Sequence, residues 1–180
     1  MNRTYGDIHI RETTFEDAAQ LCLWWNDGKV MEHAGFPNGL GTTPEIIRDE
    51  IAEQNEKSRG HMIIYRGVPI GEMYYGEIGE KVCEIGIKIC DSSLHNKGLG
   101  KVILSMFIDG LFHECGYEKI ALNTNLKNKR AQHVYEQLGF EKVRTNINAW
   151  TDQLGNLQSS VDYELTKLHF VSYLSKRVCK

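Results

Sequence analysis

The residues of this chain best placed to do chemistry fall in one run, Cys83-Glu-Ile-Gly-Ile-Lys-Ile-Cys-Asp-Ser-Ser-Leu-His-Asn-Lys-Gly-Leu-Gly-Lys101. Its first part alternates as a strand does, so Ile85, Ile87 and Ile89 share one face while Glu84, Gly86, Lys88 and Cys90 share the other. A carboxylate at Glu84 can take a proton directly or through water, and Gly86 beside it leaves room for something to approach. The competing reading puts Glu84 on an exposed sheet face with no chemical role. The second part, His95 to Lys101, reads as a tight loop that opens a helix running from Val102 to Cys115. The first amides of a helix have no intrahelical partner, and Gly98 and Gly100 let the chain turn without a Cβ in the way. The junction therefore predicts an anion site with a phosphorylated cofactor as its ligand.

Two better-known glycine loops are excluded. A nucleotide-binding P-loop needs glycine where His95 stands and Ser or Thr where Val102 stands, so no hydroxyl is placed for magnesium. A dinucleotide fingerprint needs the spacing G-x-G-x-x-G, and His95-Asn-Lys-Gly-Leu-Gly100 does not have it. Two glycines alone leave an ordinary strand-to-helix loop open as an alternative.

The elements that position this run are legible around it. Ile8 to Arg11 is a short strand, Thr14 caps a helix beginning near Phe15, and Ala18, Leu21, Cys22 and Trp25 line one side of that helix. A breaker-rich stretch from His33 to Thr43 precedes a second helix from Pro44 to Lys57. Then come three strands, His61 to Arg66, Val68 to Tyr75 and Val82 to Cys90, joined by short turns as an antiparallel meander. Beyond the glycine loop and its helix, Lys119 to Thr124 is another strand. Asn128 caps a short helix whose Ala131, Val134, Tyr135 and Leu138 recur on one side, and Gly139 closes it.

The succession of strand, Gly98-Leu99-Gly100 loop, helix, strand, and Asn128 through Ala131 and Tyr135 to Gly139-Phe140 resembles the GCN5-related N-acetyltransferase superfamily over residues 8 to 168. Trp24-Trp25-Asn26-Asp27 is similar to its ribosomal-protein N-terminal, polyamine and aminoglycoside branches. The resemblance implies an acyl-CoA N-acyltransferase fold: α/β (α+β), with a mixed, mostly antiparallel sheet of about six or seven strands flanked by about four helices. It also implies acetyl transfer from acetyl-CoA directly to a primary amine of a cationic acceptor, either a small molecule or a peptide. A catalytically idle acyl-CoA sensor of the same fold is the alternative, and an unrelated nucleotide-binding protein is a more distant one.

Carried over residue by residue, the resemblance makes Glu84 the base and Tyr135 the acid that protonates the departing thiolate. Backbone donors lie on Gly86 to Ile89, and Asn128 contacts the pantetheine arm or an ordered water. The implied cofactor residues are Ile87, Ile89, His95, Asn96, Lys97, Gly98, Leu99, Gly100, Lys101, Asn128 and Arg130; the implied acceptor pocket holds Trp24, His33, Glu72, Tyr74 and Glu84. No metal is required. His95 departs from the glutamine or arginine usual three residues before the first glycine, and a neutral imidazole supplies no permanent charge. Lys97 and Lys101 are placed to compensate. Glu72, Glu77, Glu80 and Glu84 are read either as an acidic entrance for a cation or as solvated surface.

Composition fits one compact domain over residues 1–180, with 171–180 as a C-terminal tail. Hydrophobic residues at 41% and charged residues at 25% are ordinary for a globule of this size. A net charge of −3 gives no basic footprint for nucleic acid, and no apolar run has membrane-spanning length. The expected compartment is the cytoplasm, as a monomer or homodimer. Five cysteines without a Cys-x-x-Cys pair are expected to be reduced thiols.

Overall fold

The structure, a computed structural model, describes residues 1–174. Eight strands and five α-helices are found among them: β1 Arg3–Tyr5, β2 Ile8–Glu12, α1 Ala18–Trp25, α2 Gly28–Met31, α3 Pro44–Ala52, β3 Ser58–Tyr65, β4 Val68–Gly79, β5 Val82–Ile89, α4 Leu99–His113, β6 Lys119–Asn125, α5 Lys129–Gln137, β7 Glu141–Thr151 and β8 Leu157–Thr166. All eight strands form one sheet in the order β1-β2-β3-β4-β5-β6-β8-β7. The expected mixed, mostly antiparallel sheet is present with one strand and one helix more than expected. The elements not located in the sequence are β1, too short to show periodicity, the hairpin of β7 and β8, and the four-residue α2, whose N-cap Asp27 accepts from the Lys29 amide at 2.8 Å.

Strand alternation divides the core. On β3, Ile63 enters the main cluster with Ile10, Met73, Ile85, Phe107 and Leu111, while its neighbour Met62 points through to Ala18, Leu21 and Ile47 under α1 and α3. The helix before α1 begins as a single 3₁₀ turn at Phe15, with the Asp17 carboxylate accepting from the Thr14 amide at 2.8 Å. Helix α3 stops at Ala52, because Asn55 turns back to pair with Ser58 and starts β3 early.

One pairing sets the function. β5 and β6 are the only parallel neighbours among the described strands, and α4 is the crossover that a parallel connection requires. Their ladder is short: Val82, Cys83 and Glu84 pair with Lys119, Ile120 and Ala121, and then the strands part. Beyond that point β5 stays bonded to β4 and β6 to β8, so the sheet opens as a V with Glu84 at its apex.

The segment after β8 is no free tail up to residue 174. Val171 donates its amide to the Leu138 carbonyl at 3.0 Å, and Phe170 stacks on Phe112 with ring centroids 5.9 Å apart. Residues 175–180, including Cys179, lie outside the described residues. Cys22, Cys83, Cys90 and Cys115 carry free thiols, and no described helix is long and apolar enough to cross a membrane.

Candidate functional site

The V opens into a cleft of about 770 Å³. Its inner wall is main chain. The Cys90 amide donates to the Ile70 carbonyl on β4 at 2.8 Å, so alternation turns the main-chain groups of Lys88 and Gly86 toward β4 and those of Ile85, Ile87 and Ile89 toward the gap. The Ile89 carbonyl is taken by His95, whose Nε2 donates to it at 2.8 Å. His95 therefore fastens the glycine loop to the end of β5, a use of the ring that does not depend on charge.

At the mouth of the V the loop runs through Asn96 (φ 61°) and Gly98 (φ 77°) into α4. The main-chain N–H groups of 96–100 donate to no acceptor among the described residues. These amides, the dipole of a fifteen-residue helix and the cations Lys101 and Arg130 converge on one end of the cleft. Leu99 and Gly100 also line it, whereas Lys97 is exposed and outside the lining. A side chain at 98 meets nothing but strains a left-handed φ; a Cβ at 100 comes no closer than 3.8 Å, to Ile89 Cδ1. Gly100→Val is therefore expected to fold normally and to weaken binding of a phosphorylated ligand at least tenfold by filling the approach to the amides. Calorimetric titration with an unchanged Kd would take the loop out of the site.

α5 supplies the opposite wall. Its cap is Asn128, whose Oδ1 accepts from the Ala131 amide at 3.2 Å, leaving only Nδ2 free to face the cleft. Two turns on, Tyr135 packs its ring on Phe140 and Tyr163, at centroid distances of 5.8 and 5.9 Å. Its hydroxyl makes no hydrogen bond among the described residues, although the side chain lines the cleft. Burial, with the neighbouring Tyr74 phenol, pushes Tyr135 up to about 12, so it carries its proton throughout the neutral range.

The far end of the cleft is different in character. Glu72 on β4 lies across from Lys88 on β5, and its Oε1 accepts from Lys88 Nζ at 3.0 Å and from Trp25 Nε1 at 2.7 Å. Tyr74 lies over Gly86, where a Cβ would sit 2.2 Å from the ring; the space left by that glycine is filled by the phenol. Asp27, Lys29, His33 and, from β7, Trp150 also line the cleft. Trp24, expected in this pocket, instead packs against the α1–α3 cluster, one residue out of phase with the tryptophan that reaches Glu72. Glu77 is paired with Lys57 at 2.7 Å and Glu80 is exposed in the β4–β5 turn, so neither forms an acidic entrance. Glu84 sits at the apex beside the lining residue Asn123, whose Nδ2 donates to its Oε1 at 3.2 Å. Its carboxylate helps hold the Tyr74 phenol above its ordinary value, after burial.

Sequence reasoning missed the hairpin of β7 and β8. Gln153 at its tip donates its amide to the Gly35 carbonyl (2.9 Å) and its Nε2 to the Gly39 carbonyl (3.0 Å), and its Oε1 accepts from the Asn38 amide (2.9 Å). Gly35 has no side chain to push Trp150 away; a Cβ there would lie 2.3 Å from the indole. No local pattern signals a contact spanning more than a hundred residues.

The model of the acetyltransferase (GNAT) domain matches residues 7–141. The chain belongs to the GNAT acetyltransferase family. Within that family it is 26% identical, over 152 residues, to the aminoglycoside N(6')-acetyltransferase type 1 of Klebsiella pneumoniae, covering 77% of this chain and 76% of that protein. The spermidine N-acetyltransferase from Vibrio cholerae, solved in complex with CoA and spermine, superposes with a TM-score of 0.79 at 18% identity, over 91% of this chain and 97% of that one. The ribosomal L7/L12 alpha-N-protein acetyltransferase, solved with coenzyme A, gives a TM-score of 0.79 at 14% identity, over 90% and 95%. At these identities the solved structures speak for the GNAT fold, and the parted β5 and β6 are its central feature here.

Proposed function

We propose that this GNAT chain moves an acetyl group from acetyl-CoA directly to a primary amine, and that the acceptor enters between Glu72, Tyr74 and Trp150. The observation that carries this reading is the V between β5 and β6, which joins a cradle of unpaired amides to a buried phenol still holding its proton. The residues present fit the donor: the amides of 96–100 with Lys101 and Arg130 suit its phosphates, and the strand edge of β5 suits the amide groups of its arm.

Acetyl-CoA supplies the thioester, whose acyl carbon is attacked by the amine while the carbon–sulfur bond breaks. The chain's own groups serve that exchange. The Ile87 N–H faces the gap and stabilises charge developing on the acyl oxygen, as a fixed backbone donor does without reorganising. Glu84, steadied by Asn123, takes the proton released by the amine, directly or through water. Tyr135 gives its proton to the sulfur. Cys90 also lines the cleft, but burial and the nearby Glu72 push its thiol up to about 12, which leaves it protonated and unsuited to carry the acyl group. Transfer in this reading is therefore direct, with no part for this thiol.

Thiol release from acetyl-CoA across a panel of peptide N-termini, polyamines and aminoglycosides tests the reading. Release with at least one amine is expected. Saturable coenzyme A binding without turnover of any amine would make the chain an acyl-CoA sensor. With an active amine in hand, Glu84→Gln is expected to depress the rate most at the acidic end of the profile, where the unassisted amine is protonated. A profile of unchanged shape would return Glu84 to a surface role.

A further inference from the structure

Helix α4 is buried almost all round, and its outer side is covered by the segment that follows β8. Phe170 meets Phe112 near the C-terminal end of the helix, and Tyr173 donates its amide to Ser105 Oγ at 2.9 Å nearer the start. Ser105 is fully buried, so this main-chain bond fixes where Tyr173 stands. One helical turn before Ser105 is Lys101, whose ammonium lies over the Tyr173 ring, 4.6 Å from its centroid.

Lys101 is electrostatically out of place on its own. It lies in the first turn of α4, where the helix dipole is already positive, no acidic residue accompanies it, and no carboxylate pairs with it among the described residues. A cation placed there is disfavoured until an anion arrives. Among the described residues the aromatic face is the one group that holds it, at the rim of the cleft beside the unpaired amides of 96–100.

We infer that Tyr173 is a positioning residue for the phosphate end of the cleft, its ring holding the Lys101 ammonium ready for the phosphates of the donor. This rests on the acetyl-CoA reading above. Substitution of Tyr173 leaves its amide bond to Ser105 available, and the residue is 37% exposed, so variants are expected to fold.

The test uses the full chain with coenzyme A as the calorimetric probe and S-acetylpantetheine, which lacks the phosphates, as an alternative donor. Tyr173→Leu should raise the Kd for coenzyme A roughly 3- to 10-fold, the range of a partly desolvated cation–π contact. Tyr173→Phe, which keeps the ring face, should restore binding to within about twofold of the parent. Lys101→Met should weaken binding, and adding Tyr173→Leu to it should cost nothing more, because the ring acts through the ammonium. Relative rates with S-acetylpantetheine should be unmoved by Tyr173→Leu. Additive losses, equal losses with both donors, or parental affinity in Tyr173→Leu would each overturn the inference while leaving the donor reading intact. A parent chain that fails to bind coenzyme A would instead remove the donor reading itself.

Discussion

Tyr135→Phe is expected to lower turnover ~10²-fold, the lower end of what a positioned general acid contributes, while leaving the fold and the affinity for acetyl-CoA unchanged. The ring packs on Phe140 and Tyr163, and phenylalanine keeps both contacts. The hydroxyl makes no protein hydrogen bond among the described residues, so its removal leaves no buried partner stranded. Only the proton is lost. A phenol pushed up to about 12 is a weaker acid than a free thiol at about 8.5, so it gives up its proton favourably only to a thiolate whose basicity the same burial has raised. The measurement is single-turnover acetylation, so that product release does not mask the step. Parental rates there would leave Tyr135 a packing residue and require another source for the thiol proton.

How much of this was legible in the sequence depends on the range of the interaction that fixes each residue. The cap at Asn128, the closure at Gly139 and the left-handed turn at Gly98 are local, and the structure has each where the residue types put it. The alternation of β5 was equally local, and it separated Ile85, Ile87 and Ile89, whose side chains pack on the core, from Glu84, Gly86 and Lys88 on the other face. What escaped was anything set by register or by distant packing. Trp24 and Trp25 are adjacent on a helix, about 100° apart, and periodicity could not say that only the second would find Glu72. The pairing of Glu72 with Lys88 needs the β4–β5 register, which a short turn leaves open by a residue. Gly86 was read as room for a ligand, and the room belongs to Tyr74. Trp150 reaches the cleft only because Gln153 fastens its hairpin to the loop at Gly35 to Gly39.

The second large effect is on stability and has nothing to do with catalysis. His61 on β3 is fully buried, its ring held between Tyr75 and Phe107 at centroid distances of 5.9 and 5.1 Å, and neither nitrogen makes a hydrogen bond of good geometry. Burial pushes it down to about 4, with the amino group of Met1 and the Arg59 guanidinium adding to the shift and Glu12 opposing it. The unfolded chain holds this proton near pH 6.5 and the folded chain does not, so the fold is at full strength above 6.5 and loses stability as pH falls toward 4. The loss is about 2 kcal/mol by pH 5 and roughly 3 by pH 4. Asp17 and Glu12 have lowered values and also weaken the fold in acid, but their losses begin only as pH falls into the ordinary carboxylate range, below about 5, where the unfolded chain starts to take up their protons. The interval from 5 to 6.5 therefore isolates the histidine. His61→Leu keeps an apolar side chain of similar volume among the same rings, and its urea midpoint is expected to stay level across that interval while the parent's falls. Parallel slopes for the two proteins would mean that the proton is taken up elsewhere.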